Sequence, residues 1–519
     1  QAIFFQTLLE TDDFISADVI AEELGISRRS LSRDINRMKE VLLTYQLDLE
    51  SKSGVGIKLV GTELNKRLLY LYEVMDYLEH ELELPHELLA TYADFMDNHR
   101  FPLDVERTFL STLKLTILRK EKAVGEEGLS WFTSQDKLDL PSIFYDILAY
   151  FLGREISRAE KAFLTFPMQI GLLASEIGRP DILAMAKEVL GLTVQEFGIS
   201  LDIEESALIL QCHLVYMLNR SVMKWQFTEI SLREQLIQSS FSKVVSQFFV
   251  ERVMERTGLS ISDKEVILLA AWMELLLARK SKPLIAKVAV ITQSGQSFSY
   301  LVDNQIRQIF NSEVQLDFLD FANHPPYEEL NRTYDLIFTD NLLYSQELFQ
   351  PFLSLSLVTK ENQAEREALE RTVLGRKIQM HCQVELARFD EGKSYEDNKQ
   401  ALLEQLVAKQ VIGQEVADKL QEKEAAHPAI SENGYAYPHL TDASLEQIIL
   451  VVPVQDSLHL SSQTGLAVHD FVLIFVPSEL DDFNQDLLFN IFDNTFRMGK
   501  RSHIKERLGI DQRSDMLTL

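Results

Sequence analysis

The chain of 519 residues carries 79 Asp or Glu against 51 Lys or Arg, a formal net charge of -28. That length exceeds one hydrophobic core and predicts about three to five domains, and the acidity excludes nucleic acid except where a local basic surface overcomes the field. Apolar residues make up 46% of the chain, too many for a disordered activator, yet no uncharged apolar run reaches the roughly 18 residues of a membrane-spanning helix. The opening residues, QAIFFQTLLETDD, lack the basic start and small-residue cleavage site of a signal peptide. Cys212 and Cys382 stand far apart, which fits a reducing cytoplasm and excludes a cysteine-built zinc cluster. The expectation is a cytoplasmic, non-enzymatic protein with no catalytic residues, no metal and no cofactor.

The first 64 residues predict a winged helix-turn-helix. Ile15 to Leu24 supplies one helix, Gly25 the turn, and Ser27 the cap of the next helix, because its side chain can accept from amides opened at a helix start. That second helix, Arg28 to Met38, carries Arg28, Arg29, Ser30, Arg33 and Arg37, with Lys39 following. Leu31 and Ile35 lie four apart and can pack inward while Arg29, Arg33 and Arg37 line another face. Between Arg28 and Lys39 the only acid is Asp34. The stretch SKSGVGIKLVG then gives a strand, a turn at Gly54 and Gly56, and a second strand ending at Gly61. Lys52 and Lys58 on this hairpin would sit near the backbone of a bound duplex. Ser27, Arg28, Arg29, Ser30, Arg33, Arg37, Lys39, Lys52 and Lys58 are therefore the candidate contacts to double-stranded DNA, with the second helix in the major groove.

From Asn65 the chain turns helical, with a break at Pro102, a loop over GEEGLSWFTSQDKLDLP and a junction at IGRPD. A second helical stretch runs to about Lys280. The two stretches echo each other: 109–119 lies over 210–220, and 152–166 over 257–271. A duplicated all-helical domain is predicted, over 65–178 and 184–281. No further helix-Gly-helix pattern with a basic face occurs between Asn65 and His86.

After Pro283 the period changes. The strand-like run Val288 to Thr292 leads into the small-polar turn TQSGQSFS and a helix, and VQLDFLD and YDLIFTD are further strands. This is the pattern of a parallel α/β domain over 284–370, whose turn at a helix start is shaped to hold an anion. A charged helical connector follows. The last predicted domain, 384–515, has two helices, the strands LEQIILVVPV and VHDFVLIFVPS, and two closing helices. Between its opening helices and strands lies NGYAYPHLTD, where Pro438 fixes the backbone before His439. A histidine in such a loop is expected to be accessible.

In domain order the chain resembles the transcription regulators that carry phosphotransferase-system regulation domains, of the BglG/LicR and mannitol-activator type and related to the Mga-like virulence regulators. The resemblance is strongest at 14–61 and 205–280. It implies a multidomain α and α/β fold: a winged helix-turn-helix, two helical regulation domains, a domain similar to the IIB component of sugar phosphotransferase systems, and a C-terminal domain similar to the mannitol/fructose IIA component. In that family a phosphorylated histidine stands seven residues before an arginine. His213 and Arg220 match this in the second helical domain, whereas the first has Thr112 before Arg119. The places of a further family histidine fall at Pro167 and Trp272. The IIB resemblance implies a phosphorylated cysteine in a C-x-x-G loop, where this chain has Thr292, so that domain is a pseudo-enzyme for docking or dimerisation. The IIA resemblance implies that His439 is the phosphoacceptor, and it places the usual second histidine at about Asn484.

The resemblance thus implies a homodimeric DNA-binding regulator, an activator, whose His213 and His439 report the state of the general phosphocarriers. An RNA-binding antiterminator and a phosphocarrier component of the transport system are the alternatives. The basic helix after Gly25 argues against the first. The residues at Thr292 and Asn484, and the lack of a membrane segment, argue against the second.

Overall fold

The computed structural model describes residues 1–78, 84–98, 101–134, 140–169, 179–225, 240–278, 284–292, 296–310, 314–320, 323–339, 363–431, 434–496 and 503–510. Its architecture is helical at the N-terminal side, with a helix-turn-helix, followed by mixed α/β segments. The described chain divides into two compact units. One comprises Gln1–Glu188, Glu204–Leu232 and Val250–Val266, and the other Val189–Ile203, Arg233–Phe249 and Ile267–Leu519.

The head of the first unit consists of α1 (Ala2–Leu9), α2 (Ala17–Glu23), α3 (Arg28–Thr44) and the hairpin β1 (Asp48–Lys52) and β2 (Gly56–Val60). Three details differ from the sequence expectation. First, the opening residues form a helix, α1, which buries Phe4, Phe5, Leu8 and Leu9. Second, α2 starts only at Ala17, because the Ser16 side chain accepts from the Val19 amide, and Ile15 instead exchanges backbone hydrogen bonds of 2.9 Å with Ile57. Third, α3 continues to Thr44, since no Gly or Pro interrupts Lys39–Thr44 and Leu42 is fully buried. Gly56 is required where it stands: φ is +143°, and a Cβ there would lie 2.0 Å from the Ile15 carbonyl oxygen. The wing is thereby pressed onto the chain leading into α2.

Next come α4 (Glu63–Glu73), α5 (Met75–Leu78), α6 (His86–Asn98), α7 (Leu103–Leu118), α8 (Ser142–Leu152), α9 (Arg158–Gln169), α10 (Pro180–Phe197), α11 (Ile203–Val222), α12 (Ser240–Thr257) and α13 (Asp263–Ala278). The head shares its core with this helical region. Phe4, Phe5 and Leu8 of α1, Leu31 and Leu42 of α3, Leu68 and Leu69 of α4, Phe163 and Phe166 of α9, and Val222 with Met223 form one apolar cluster. A buried charge network crosses it. Arg67 pairs with Glu63 and Glu160, and Arg119 donates to both oxygens of Glu63 at 2.6 and 2.8 Å and to the Leu9 carbonyl at 2.7 Å. A second cluster, built around Phe109, Leu113, Phe144, Leu148 and Leu164, lies among α6 to α9.

In the second unit, β3 (Ala286–Thr292), α14 (Gln296–Ile309), β4 (Val314–Asp320), α15 (Tyr327–Thr333) and β5 (Leu336–Thr339) build a parallel sheet of order β4-β3-β5. The following α16 (Gln363–His381) places Leu369 and Val373 in its core. The stretch expected to be only a helical connector also contains a strand, β6 (Cys382–Ala387). This strand, with α17 (Tyr395–Ala408), α18 (Gln414–Ala426), β7 (Tyr435–Ala436), β8 (His439–Asp442), β9 (Ile448–Pro453), β10 (Leu460–Ser461), β11 (Ala467–Val468), β12 (Asp470–Phe471), β13 (Leu473–Pro477), α19 (Asp482–Phe496) and α20 (Ile504–Arg507), completes the chain. The main sheet runs β6-β9-β13-β8, with β9 and β13 antiparallel and the two outer pairs parallel.

Leu68, fully buried where head and helical region meet, gives a test of that shared core. Leu68→Ala is expected to lower the unfolding free energy by about 2–5 kcal/mol. Urea unfolding should show signals from the head and from α7 falling together. A head transition that leaves α7 folded would contradict one common core.

Candidate nucleic-acid interface and candidate regulatory histidines

Helix α3 begins at an intact cap. Ser27 accepts from the Ser30 amide at 3.2 Å, and the two hydroxyl oxygens lie 3.1 Å apart, so both are engaged at the helix start. Arg28, Arg29, Arg33 and Arg37 are exposed, and Lys39 is half-buried. Arg29, Arg33 and Arg37 repeat every four residues and therefore line one face of the helix. Arg28 is already paired with Asp18 of α2, a contact that ties the two helices of the motif. On the wing, Lys52 is exposed with its ammonium 6.0 Å from the Phe14 ring, and Lys58 is half-buried. The expected basic residues thus share one head, although Arg28 is committed to an acid.

His213 lies on α11. The residue retains some exposure, but its Nε2 is enclosed. Burial, and then the charge of Arg220, push the ring down to about 3, so it is neutral at pH 7. Arg220 itself is held by Glu265 in a buried two-pronged contact of 2.6 and 2.8 Å. In the first helical stretch, Thr112 is fully buried on α7 and its hydroxyl donates to the Phe109 carbonyl at 2.7 Å. Arg119, the counterpart of Arg220, turns to Glu63 and Leu9 instead. Pro167 is buried within α9, and Trp272 is partly exposed on α13.

Thr292 ends β3, opposite Asp320 of β4. Residues 293–295, the remainder of the expected anion-holding loop, lie outside the described residues. His439 is a correction to the sequence expectation. It opens β8 and is buried, at 3% exposure. Its Nδ1 lies 3.1 Å from the Tyr437 carbonyl, and its Nε2 lies 3.1 Å from Glu196 Oε1, at an angle that falls short of an aligned hydrogen bond. The Phe197 ring stacks on the imidazole, centroid to centroid 5.1 Å and 11° from parallel. Burial alone would raise the Glu196 carboxyl, but the His439 ring and the Lys423 ammonium outweigh it and bring the group to about 2. From α19 the neighbour of His439 is Phe492, at 5.9 Å. Asn484 lies eight residues earlier, about 12 Å along the axis, in the first turn, where its amide donates to Asp481. The covering residues Glu196 and Phe197 carry no motif and escaped the sequence reading. Among the described residues no group of His, Cys, Asp and Glu could hold a metal ion, and no helix is long and apolar enough to cross a membrane.

The head is a helix-turn-helix: residues 3–58 match the family model described as "HTH domain". The chain as a whole is distantly similar to the "Probable licABCH operon regulator" of Bacillus subtilis (strain 168), 23% identical over 474 residues, spanning 84% of this chain and 72% of that protein. The two findings together support a transcription-regulator family of this general type.

The depressed His213 ring sets a pH dependence. Its folded value, about 3, lies below its ordinary 6.5, so its contribution is complete above 6.5 and is lost as pH falls from 6.5 toward 3. Urea midpoints measured across that window should fall more steeply for the unaltered chain than for His213→Gln. Equal slopes would show that the ring is not held neutral.

Proposed function

We propose that the chain is a sequence-specific, DNA-binding transcription regulator that works as a homodimeric activator. We propose too that it responds to sugar-phosphotransferase phosphocarriers through His213 and His439. The observation that carries this reading is the exposed Arg29, Arg33 and Arg37 face of α3 beside a two-stranded wing. On a protein of net charge -28, such a basic face on a helix-turn-helix is where a duplex can be approached. Three helices and a hairpin in the first 61 residues also speak for DNA over the RNA-antiterminator alternative, whose head is small and β-rich. The distant relative, an operon regulator by its name, supports a regulatory role, as does the resemblance at His213 and Arg220. The domains over 65–178 and 184–281 are then regulation domains, and those over 284–370 and 384–515 are IIB-like and IIA-like.

Arg29→Ala and Arg33→Ala are each expected to weaken operator binding. For a phosphate contact the slope of log affinity against log salt should shrink by about one. Fluorescence anisotropy on operator and scrambled duplexes, across a salt series, reads both effects. Binding unchanged in both variants would remove the head from DNA recognition. Sedimentation of the full chain should give roughly twice its 59.6 kDa mass. A monomer both free and on DNA would refute the dimer.

A further inference from the structure

The IIA-like histidine is covered by a segment distant in sequence. Val189–Ile203 belongs to the same unit as the C-terminal sheet, and three consecutive residues of it close on His439 and the strands beside it. Glu196 contributes a carboxylate 3.1 Å from Nε2. Phe197 stacks on the ring and is held in turn by Phe241, Phe248 and Phe492 at 5.5 to 6.0 Å. Gly198 adopts φ +62°, and a Cβ there would lie 2.6 Å from the Val476 side chain and 3.2 Å from the Thr441 hydroxyl, so the backbone lies directly on β8 and β13. Lys423 joins the two sides: its ammonium is 2.7 Å from Glu196 and 2.7 Å from the His439 carbonyl.

We infer that Glu196 and Phe197 form an internal lid that closes His439 against phosphoryl donors of the phosphohistidine-protein class. The inference rests on the reading of His439 as a phosphoacceptor. A carbonyl only accepts, so the contact to Tyr437 places a proton on Nδ1, and Nε2, which faces Glu196 in the closed state, is the nitrogen whose electron pair can react once the carboxylate withdraws. Attack of that electron pair on phosphorus would form the new N–P bond and break the donor's. The donor ring regains the electron pair and takes the proton the acceptor ring gives up. The transferred group would occupy the position of Glu196. It also brings roughly two negative charges, while His439 and Lys423, against the effect of burial, keep the Glu196 carboxyl ionised. Lid closure and a phosphorylated His439 therefore exclude each other, and phosphorylation becomes a means of expelling the 196–198 segment from the sheet.

Diethylpyrocarbonate labelling of the full chain, mapped by mass spectrometry, tests the lid without any phosphoryl donor. His427 and His459 are exposed and serve as references. His439 should react at least roughly tenfold more slowly than either in the unaltered chain, the signature of a site that reacts only on local opening. Phe197→Ala should bring it close to the references. Glu196→Gln, which keeps the side-chain shape, should raise its rate by a smaller factor and carries the test if circular dichroism shows that Phe197→Ala does not fold. Labelling of His439 at the reference rate in the unaltered chain overturns the lid, as does unchanged protection in the folded variants. A parallel incubation with phosphoenolpyruvate and the general phosphocarriers separates the two readings. Faster phosphorylation of His439 in the variants supports the lid, and equal rates overturn it. No phosphorylation in any form, with the carbethoxylation pattern as expected, leaves the lid standing and refutes His439 as a phosphoacceptor.

Discussion

The Arg119 guanidinium is the contact on which the first unit depends. It is buried, donates to both oxygens of Glu63 and caps the Leu9 carbonyl at the end of α1. A cation out of water is tolerated only when its donors are matched, and here the arginine comes from the end of α7 while the matching groups come from the head and from the helix after the wing. Arg67 extends the network to Glu160 and to the Lys122 carbonyl. Removing one member would leave a buried charge unpaired, a larger disturbance than the loss of a surface ion pair. Helix α3 is thereby carried on the same apolar core as α4, α9 and the end of α11.

The internal echo makes this network informative. Arg220 and Glu265, at the places corresponding to Arg119 and Glu160, pair with each other. In the first helical stretch that pairing is exchanged: Arg119 goes to Glu63, and Glu160 receives Arg67 and Arg154. Beside the head, Arg119 is thus engaged with Glu63 and Leu9, and Glu160 with Arg67 and Arg154. The position that lies over His213 in the internal echo is Thr112, whose hydroxyl donates to the Phe109 carbonyl. The second helical stretch thus has an imidazole under the influence of an arginine, where the first has a threonine and an arginine engaged in structural contacts.

The head was legible in the sequence because its signals are local. Ser27 acts as a cap, Gly56 meets a close backbone approach, and the arginine spacing is a helical period. Helix α1 was missed because Gln1, in the N-cap position before AIFFQTLL, makes no side-chain cap, and the helix's burial comes from partners far along the chain. Strand β6 was obscured by the charged helix before it, although Cys382, Val384 and Leu386 alternate with Gln383 and Glu385. The burial of His439 could not be read locally at all. Pro438 and the small residues around it describe a loop correctly in outline, but exposure is decided by what packs on a residue, and Glu196 and Phe197 lie in another part of the sequence.

The two candidate histidines present opposite electrostatic settings, each within its own unit. Beside His213 the nearest influence is the Arg220 cation, which helps hold the ring neutral. A phosphoryl group there would meet an attractive partner, and its charge would compete with Glu265 for the same guanidinium. Beside the His439 Nε2 stands the Glu196 carboxylate, and added negative charge would be repelled, with Lys423 left to choose between the two anions. The same covalent change would thus tighten and redirect one buried arginine while opening the other site. A chain with a net charge of -28 can accommodate further negative charge only where a cation is already placed to receive it or where the neighbouring segment is free to leave. His213 satisfies the first condition through Arg220. For His439 the second is the determining one, because Lys423 already serves Glu196 and the backbone carbonyl of the histidine itself.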